Sequence, residues 1–246
     1  MKWLRRFAML LALLLIGPLF VVVAGDVDIR GNWQTASRES SGIAPSPKTN
    51  SEAIVQVYAA RAFSWRGMFG VHTWIATKSK AAKGYRIHQV LGWRVRHGGA
   101  AISSSFGVPD RYWFGNRPTI LTDLRGIEAS KAIKKINQLI INYPYKHEYT
   151  LWPGPNSNTF IAHLSRNIPE LKTDLPPTAI GKDYLVNGGL IASSPSNTGY
   201  QFSIFGLFGI LASFEEGLEV NIFGLSFGID PLDLAIKLPG IGRLQA

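Results

Sequence analysis

WPGPNSNTFIAHL, Trp152 to Leu164, sets a proline-rich loop directly before a segment with helical spacing. Pro153-Gly154-Pro155 imposes a rigid loop. Phe160, Ile161, Leu164 and Ile168 then recur on one helical face, so a helix is expected to begin near Asn156 to Asn158 and to stop before Pro169. A small polar residue opening such a helix has two uses. It can cap the unpaired amides of the first turn, a role open to Asn156, Ser157 and Asn158 alike. It can also serve as a nucleophile, because those amides and the helix dipole favour an anion. Ser157 is the candidate nucleophile.

A serine nucleophile needs a base, and GVHTWIATK, Gly70 to Lys78, offers one. Val71, Thr73, Ile75 and Thr77 alternate with His72, Trp74 and Ala76, so a strand is expected in which His72 and Trp74 share a face. Val71 and Trp74 give His72 an apolar wall and a controlled protonation state, the setting of a general base; the same setting suits a purely structural histidine. The neighbouring stretches fit a sheet. Ala53 to Ala60 (AIVQVYAA) alternates as a strand and turns at Ser64-Trp65-Arg66-Gly67, and Tyr85 to Leu91 (YRIHQVL) follows the basic loop Lys78 to Gly84 as an antiparallel partner. His88 falls near the middle of that partner strand.

Further along, Trp93 to Arg125 is rich in Gly, Arg and aromatic residues and is broken by Pro109 and Pro118, which predicts short strands and loops rather than a helix. Ala129, Ile133, Ile136 and Ile140 lie on one helical face, with Lys131, Lys134, Lys135 and Gln138 on the other, so Ile127 to Ile141 is an amphipathic helix. Near the C-terminus, Ile204-FGLFG-Ile210 and Ile222-FGLSFG-Ile229 form a near repeat around the polar tip Glu215-Glu216-Gly217. The expectation is a long two-stranded antiparallel ribbon whose glycines admit bulges. Its aromatic residues can pack on the core or touch lipid.

The order of a His-Trp strand, a second strand with histidine, and then a helix opening as Asn156-Ser157-Asn158-Thr159-Phe160 resembles the circularly permuted papain-like proteins. That group includes lecithin:retinol acyltransferase relatives and permuted NlpC-type hydrolases. The resemblance covers Ala53 to Asn167 and implies His72, His88 and Ser157 as catalytic positions, with Ser157 standing where the group has cysteine. Trp74, Trp152, Asn156 and Asn158 are the implied substrate-contacting positions. A hydroxyl is a weaker nucleophile than a thiol and depends more on its base. The chain also resembles a signal-anchored bacterial family of unknown function that shares the HTW and WPGPNSNTF segments.

Lys2, Arg5 and Arg6 precede the apolar run Phe7 to Ala24, a pattern expected of an export signal that is retained as an anchor or cleaved before Gly25. Asp26 to Ser51 is polar and rich in Ser and Pro, a connector. Twenty-six Lys and Arg against 16 Asp and Glu give a formal charge of +10, which favours anionic lipid or envelope polymer as a partner. Nucleic acid is set aside because the basic residues are dispersed and an exported chain rarely meets it. The absence of cysteine excludes disulfides and zinc-thiolate sites. His97, His147 and His163 have no metal-ligand spacing, and Gly98-Gly99 and Gly188-Gly189 no phosphate-loop context, so neither metal nor cofactor is expected.

The expected architecture is an α+β fold: an anchor over 1–25, a linker over 26–51, a permuted papain-like antiparallel sheet with packed helices over 52–190, and a Gly-rich β ribbon over 191–246 packed on that core. The expected place is the cytoplasmic membrane with the body periplasmic or extracellular, or secretion after cleavage. The expected function is hydrolysis or acyl transfer on amide or ester bonds of peptidoglycan peptide or lipid through Ser157 and His72. The alternative is an envelope protein that kept the fold and only binds a ligand.

Overall fold

The alternation of the first three β segments becomes a sheet covered on both faces. In the computed structural model, which describes residues 2–245, helix α1 (Lys2–Val23) leads to β1 (Ile54–Arg61), β2 (Val71–Lys78) and β3 (Tyr85–Val90). A short helix α2 (Gly92–Arg96), β4 (Ile102–Gly107), β5 (Thr119–Arg125), α3 (Gly126–Asn142) and α4 (Ser157–Asn167) follow. The five strands form one antiparallel sheet in the order β4-β3-β2-β1-β5. Where loops and strands were expected after Trp93, Gly92–Arg96 makes one helical turn; the remainder is strand and loop.

Interior strand β1 is buried from Ile54 to Ala60 because both of its faces are packed. Val55 and Val57 join Ile75, Ile136, Phe160, Ile161 and Leu164 in the larger core under α3 and α4. Ile54, Tyr58 and Ala60 join Trp74, Ile87 and Trp113 in a smaller aromatic core on the opposite face. Each large apolar side chain sealed in this way contributes about 1.5 to 3 kcal/mol. Ala129, Ala132 and Ile136 carry the buried stripe of α3, and its lysines stay on the outer half. The polar segment before β1 is tied down by Asp110. That buried carboxylate accepts from Ser40 Oγ (2.8 Å) and from the amides of Ile43 (2.8 Å) and Ala44 (3.1 Å).

The C-terminal region is a second, seven-stranded antiparallel sheet instead of a two-stranded ribbon. Its strands are β6 (Ile191–Ser193), β7 (Gly199–Ile204), β8 (Phe208–Ser213), β9 (Gly217–Ile222), β10 (Leu225–Asp230), β11 (Ala235–Leu238) and β12 (Gly242–Gln245), each beside the next. Strands β8 and β9 do pair around the expected polar tip, with Phe208 opposite Ile222 and Ser213 opposite Gly217. Each repeat, however, carries a turn near its start. Phe205-Gly206 (φ +50° and +71°) and Phe223-Gly224 (φ +55° and +82°) both take the left-handed pair of a primed hairpin turn. Glycine supplies the second of those angles without strain, so the first Phe-Gly of each repeat marks a reversal, while Phe208-Gly209 and Phe227-Gly228 lie within strands.

The second sheet is inside out. One residue row facing the rest of the domain runs Gln201, Leu211, Glu219, Gly228, Lys237 and Arg243, each directly opposite the next. The row on the other face runs Ile191, Phe202, Ile210, Val220 and Phe227. Beside it, Tyr200, Ala212, Leu218, Ile229, Ile236 and Leu244 form another apolar row. The first row is largely polar and buried, whereas Ile210, Leu218, Ile229 and Ile236 are each about half exposed, at 49 to 53%.

The inner face is held to the domain by ion pairs. Lys237 Nζ donates to Asp174 Oδ1 (2.9 Å), Glu219 Oε1 (2.8 Å) and the Glu216 carbonyl (2.9 Å), and Lys182 pairs with Glu219 and Asp183. Burial opposes charge on both Lys182 and Glu219, but their contact and the neighbouring charges outweigh it. Lys182 is held above the ordinary lysine range and Glu219 below the ordinary carboxylate range. Arg166 on α4 reaches across to the Ser193 carbonyl (2.9 Å) and to Gln201 Oε1 (2.5 Å).

Helix α1 is long and apolar enough to cross a membrane. It is seated on the domain by Leu14, Gly17, Pro18 and Val21, one stripe at helical spacing, while Leu4, Phe7, Leu13 and Phe20 remain exposed. The stripe meets the β11–β12 turn. A Cβ on Gly240 (φ +69°) would fall 2.5 Å from Pro18 N and 2.7 Å from Met68 O, so glycine permits the approach. Arg61 braces the same place, donating to the carbonyls of Gly67 (2.9 Å) and Gly240 (2.8 Å).

Candidate functional site

The loop before α4 and the start of the helix form as expected, with Asn156 as the cap. Its Oδ1 accepts from the amides of Asn158 (2.9 Å) and Thr159 (3.2 Å), and Thr159 Oγ1 answers by accepting from the Asn156 amide (3.1 Å). Asn156 Nδ2 also donates to the carbonyls of Leu151 and Ile180, both at 3.0 Å. Asn158 Nδ2 donates to Val71 O (3.1 Å) and Ile180 O (2.7 Å), which pins α4 to β2. Both asparagines therefore spend their side chains on the scaffold. Ser157 sits between them, and its hydroxyl makes no hydrogen bond among the described residues.

Strand parity decides where the histidines go. Ala60 opposite His72 and Tyr58 opposite Trp74 put both on the aromatic-core side of the sheet. Thr73 points the other way, toward α4, where its Oγ1 donates to Asn158 Oδ1 (2.9 Å) and to the Ser157 carbonyl (3.2 Å). His72 stacks on Trp113 with ring centroids 3.7 Å apart and pairs through Nε2 with Gln89 Oε1 at 3.2 Å. Burial pushes its pKa down to about 3, so the ring is neutral. No hydrogen bond joins His72 and Ser157.

Two implied positions leave the site altogether. His88 lies opposite Ile75, hence on the α3 side of the sheet; it bonds Thr77 Oγ1 (3.2 Å) and Ser104 Oγ (2.8 Å) and borders a separate cleft with Ile133 and Asn137. The three-residue offset between His72 and Ile75 sends the two histidines to opposite faces. Trp74 is 1% exposed, stacks on Tyr58 at 5.5 Å and donates its indole N–H to Pro109 O (2.7 Å), which makes it a core residue.

His72 and Ser157 nevertheless border one cavity of about 1200 Å³ that opens past the end of β2. Its floor is Val90, Leu91 and Trp113, all buried, and its rim carries the exposed indoles of Trp33, Trp65, Trp93 and Trp152. Trp152 Nε1 donates to the Phe223 carbonyl (2.8 Å), so the β9–β10 turn of the second sheet closes one side. Arg38, Arg66 and Arg96 line the cavity with His97, and no Asp or Glu does so among the described residues. Arg38 lies over Phe114 at 4.5 Å and Arg66 over Trp65 at 5.2 Å, so two of the guanidinium groups are mounted on aromatic faces.

Such a lining can accommodate an apolar body with an anionic end. No group of three His, Asp or Glu among the described residues is placed to hold a metal ion. The three arginines and the indoles other than Trp152 were not singled out as site residues from the sequence; Trp93, Arg96 and Trp113 fall in the Gly-, Arg- and aromatic-rich stretch Trp93 to Arg125, whereas Trp33, Arg38, Trp65 and Arg66 lie outside it. The family described as Protein of unknown function (DUF3750) matches residues 52–184, more than half of the chain. No curated protein and no solved structure matches.

Proposed function

The chain belongs to the DUF3750 family, and from that premise we propose that it is an envelope protein, attached to the membrane through α1, whose aromatic cavity binds an anionic lipid. The observation that carries this reading is the lining itself: a large, mostly apolar cavity with three arginines and no carboxylate among the described residues. Indoles and leucines accept an acyl chain, and guanidinium groups pair with phosphate oxygens by charge-assisted hydrogen bonds. Binding without chemistry leads because of His72. A ring whose conjugate acid has a pKa of about 3 is a poor acceptor for a serine proton, and its Nε2 is already paired with Gln89.

The test is titration of the full chain in detergent with short-chain phosphatidylglycerol and, in parallel, phosphatidylcholine. The anionic lipid is expected to bind about tenfold more tightly, a difference of about 1.4 kcal/mol. Replacing Arg38, Arg66 and Arg96 together by alanine should erase that preference and leave apolar binding. Equal affinity for the two lipids in the intact chain would overturn the reading.

A second reading, hydrolysis of an ester or amide in the same cavity, is favoured by one observation. The Ser157 hydroxyl is unengaged at the N-terminus of α4, where the helix dipole favours a developing anion. Under that reading Ser157→Ala abolishes turnover of a bound ester and keeps its binding; under the first, the intact chain releases no product.

A further inference from the structure

The second sheet has a face that the domain does not cover. In an antiparallel sheet with one covered face, apolar residues ordinarily point inward and polar ones outward. Here the order is reversed across the sheet. Glu219, Lys237 and Asp230 are buried against the domain, and Phe202, Ile210, Leu218, Val220 and Ile236 look out, each at least 37% exposed. No charged side chain interrupts the two outward rows that run through these residues. An uninterrupted apolar surface of this size on a folded domain marks an interaction face.

Helix α1 identifies what covers it. Its 22 residues make a rod about 33 Å long, matching the apolar thickness of a bilayer. Pro18 lies five residues from the end, hence about 8 Å inside it. That residue touches Gly240, in the turn joining the last two strands of the inside-out sheet. A sheet whose edge turn contacts the spanning segment is held at the boundary of headgroups and acyl chains, with no slack to stand off. We infer that the outward face of the C-terminal sheet docks on the phospholipid bilayer that α1 enters, with its apolar rows in the acyl-chain boundary and its buried ion pairs away from lipid. Lipid on one side and the polar domain on the other account for both faces of the sheet.

The inference rests on entry of α1 into the membrane, so the experiment reads helix and sheet separately. The chain has no cysteine, which makes an introduced thiol unique. Full-length Val220→Cys, Leu11→Cys and Lys131→Cys variants are labelled with an environment-sensitive fluorophore and reconstituted in phosphatidylethanolamine–phosphatidylglycerol vesicles. Quenching by acyl-chain nitroxide lipid is compared with quenching by aqueous iodide. Leu11 reports the helix, Val220 the outward face, and Lys131 the exposed side of α3. The expected result is lipid quenching at Leu11 and Val220, with iodide quenching at Val220 several-fold weaker than at Lys131. Iodide quenching at Val220 equal to that at Lys131, with Leu11 still quenched by lipid, overturns sheet docking and leaves the anchor intact. Lack of lipid quenching at both Leu11 and Val220 overturns docking together with the anchor. Protection of Val220 from both quenchers, with energy transfer between two labelled chains, overturns it in favour of a face-to-face second copy.

Discussion

Replacing Asn156 by alanine removes the cap of α4 and tests how the loop before it is held. Asn156 Oδ1 satisfies two first-turn amides, and its Nδ2 serves the partly buried carbonyls of Leu151 and Ile180. Loss of a cap of this type costs about 0.5 to 2 kcal/mol. Each donor withdrawn from such a carbonyl adds up to about 1 kcal/mol, less at Ile180, whose oxygen keeps Asn158 at 2.7 Å. The expected loss is about 1 to 3 kcal/mol, because the terms share one side chain and do not fully add. Ser157→Ala removes a hydroxyl with no partner among the described residues and should stay within about 0.5 kcal/mol of the intact chain. Asn156→Asp, which still accepts but no longer donates, should fall between the two. The assay is urea unfolding of the full chain in detergent, followed by tryptophan fluorescence, with midpoints compared at constant slope. A Ser157→Ala loss as large as that of Asn156→Ala would mean that Ser157 is the cap, and the assignment of the free hydroxyl to the cavity would fail.

Two further outcomes are expected. Lys237→Met leaves Asp174 and Glu219 without their shared buried cation and should cost about 3 to 5 kcal/mol, loosening the second sheet first; hydrogen exchange over β9 to β11 no faster than in the intact chain would refute this. Part of the pH dependence comes from His72, whose folded pKa of about 3 lies below the ordinary 6.5 because burial disfavours its charged form, and His88 and His163, each pushed down to about 4 by burial, act in the same direction. As pH falls below about 6.5 the unfolded chain takes up a proton that the folded chain refuses, so stability is full above that value and is lost toward pH 3 at up to about 1.4 kcal/mol per unit. Asp174, pushed up to about 6 by burial, acts with the opposite sign in the acid part of that range, so the intact chain is compared with His72→Gln. The variant should show the flatter acid limb, and identical slopes would contradict a neutral buried His72.

Local chemistry made much of this protein legible. Alternation in Ala53 to Ala60, Gly70 to Thr77 and Tyr85 to Leu91 forecast three strands that are present within a residue or two, since the two-residue period is a property of the backbone alone. The helical spacing of Ile127 to Ile141 and the start of α4 were readable for the same reason, as was the length of α1. What lay beyond reach depends on which face meets which neighbour. His72 and Ser157 are read from two motifs far apart in the sequence, but the pairing of β2 with β1 turns His72 toward Trp113 and gives Thr73 the place facing α4. The Phe-Gly repeats betrayed strands, and the positive φ angles of Phe205 and Phe223 were needed to show that each also holds a turn. In the second sheet alternation was read only in the two near repeats, and alternation says only that two faces differ. That the polar one is buried was decided by Lys182, Asp174 and Arg166, residues distant in sequence that supply its countercharges and hydrogen bonds once the chain has folded.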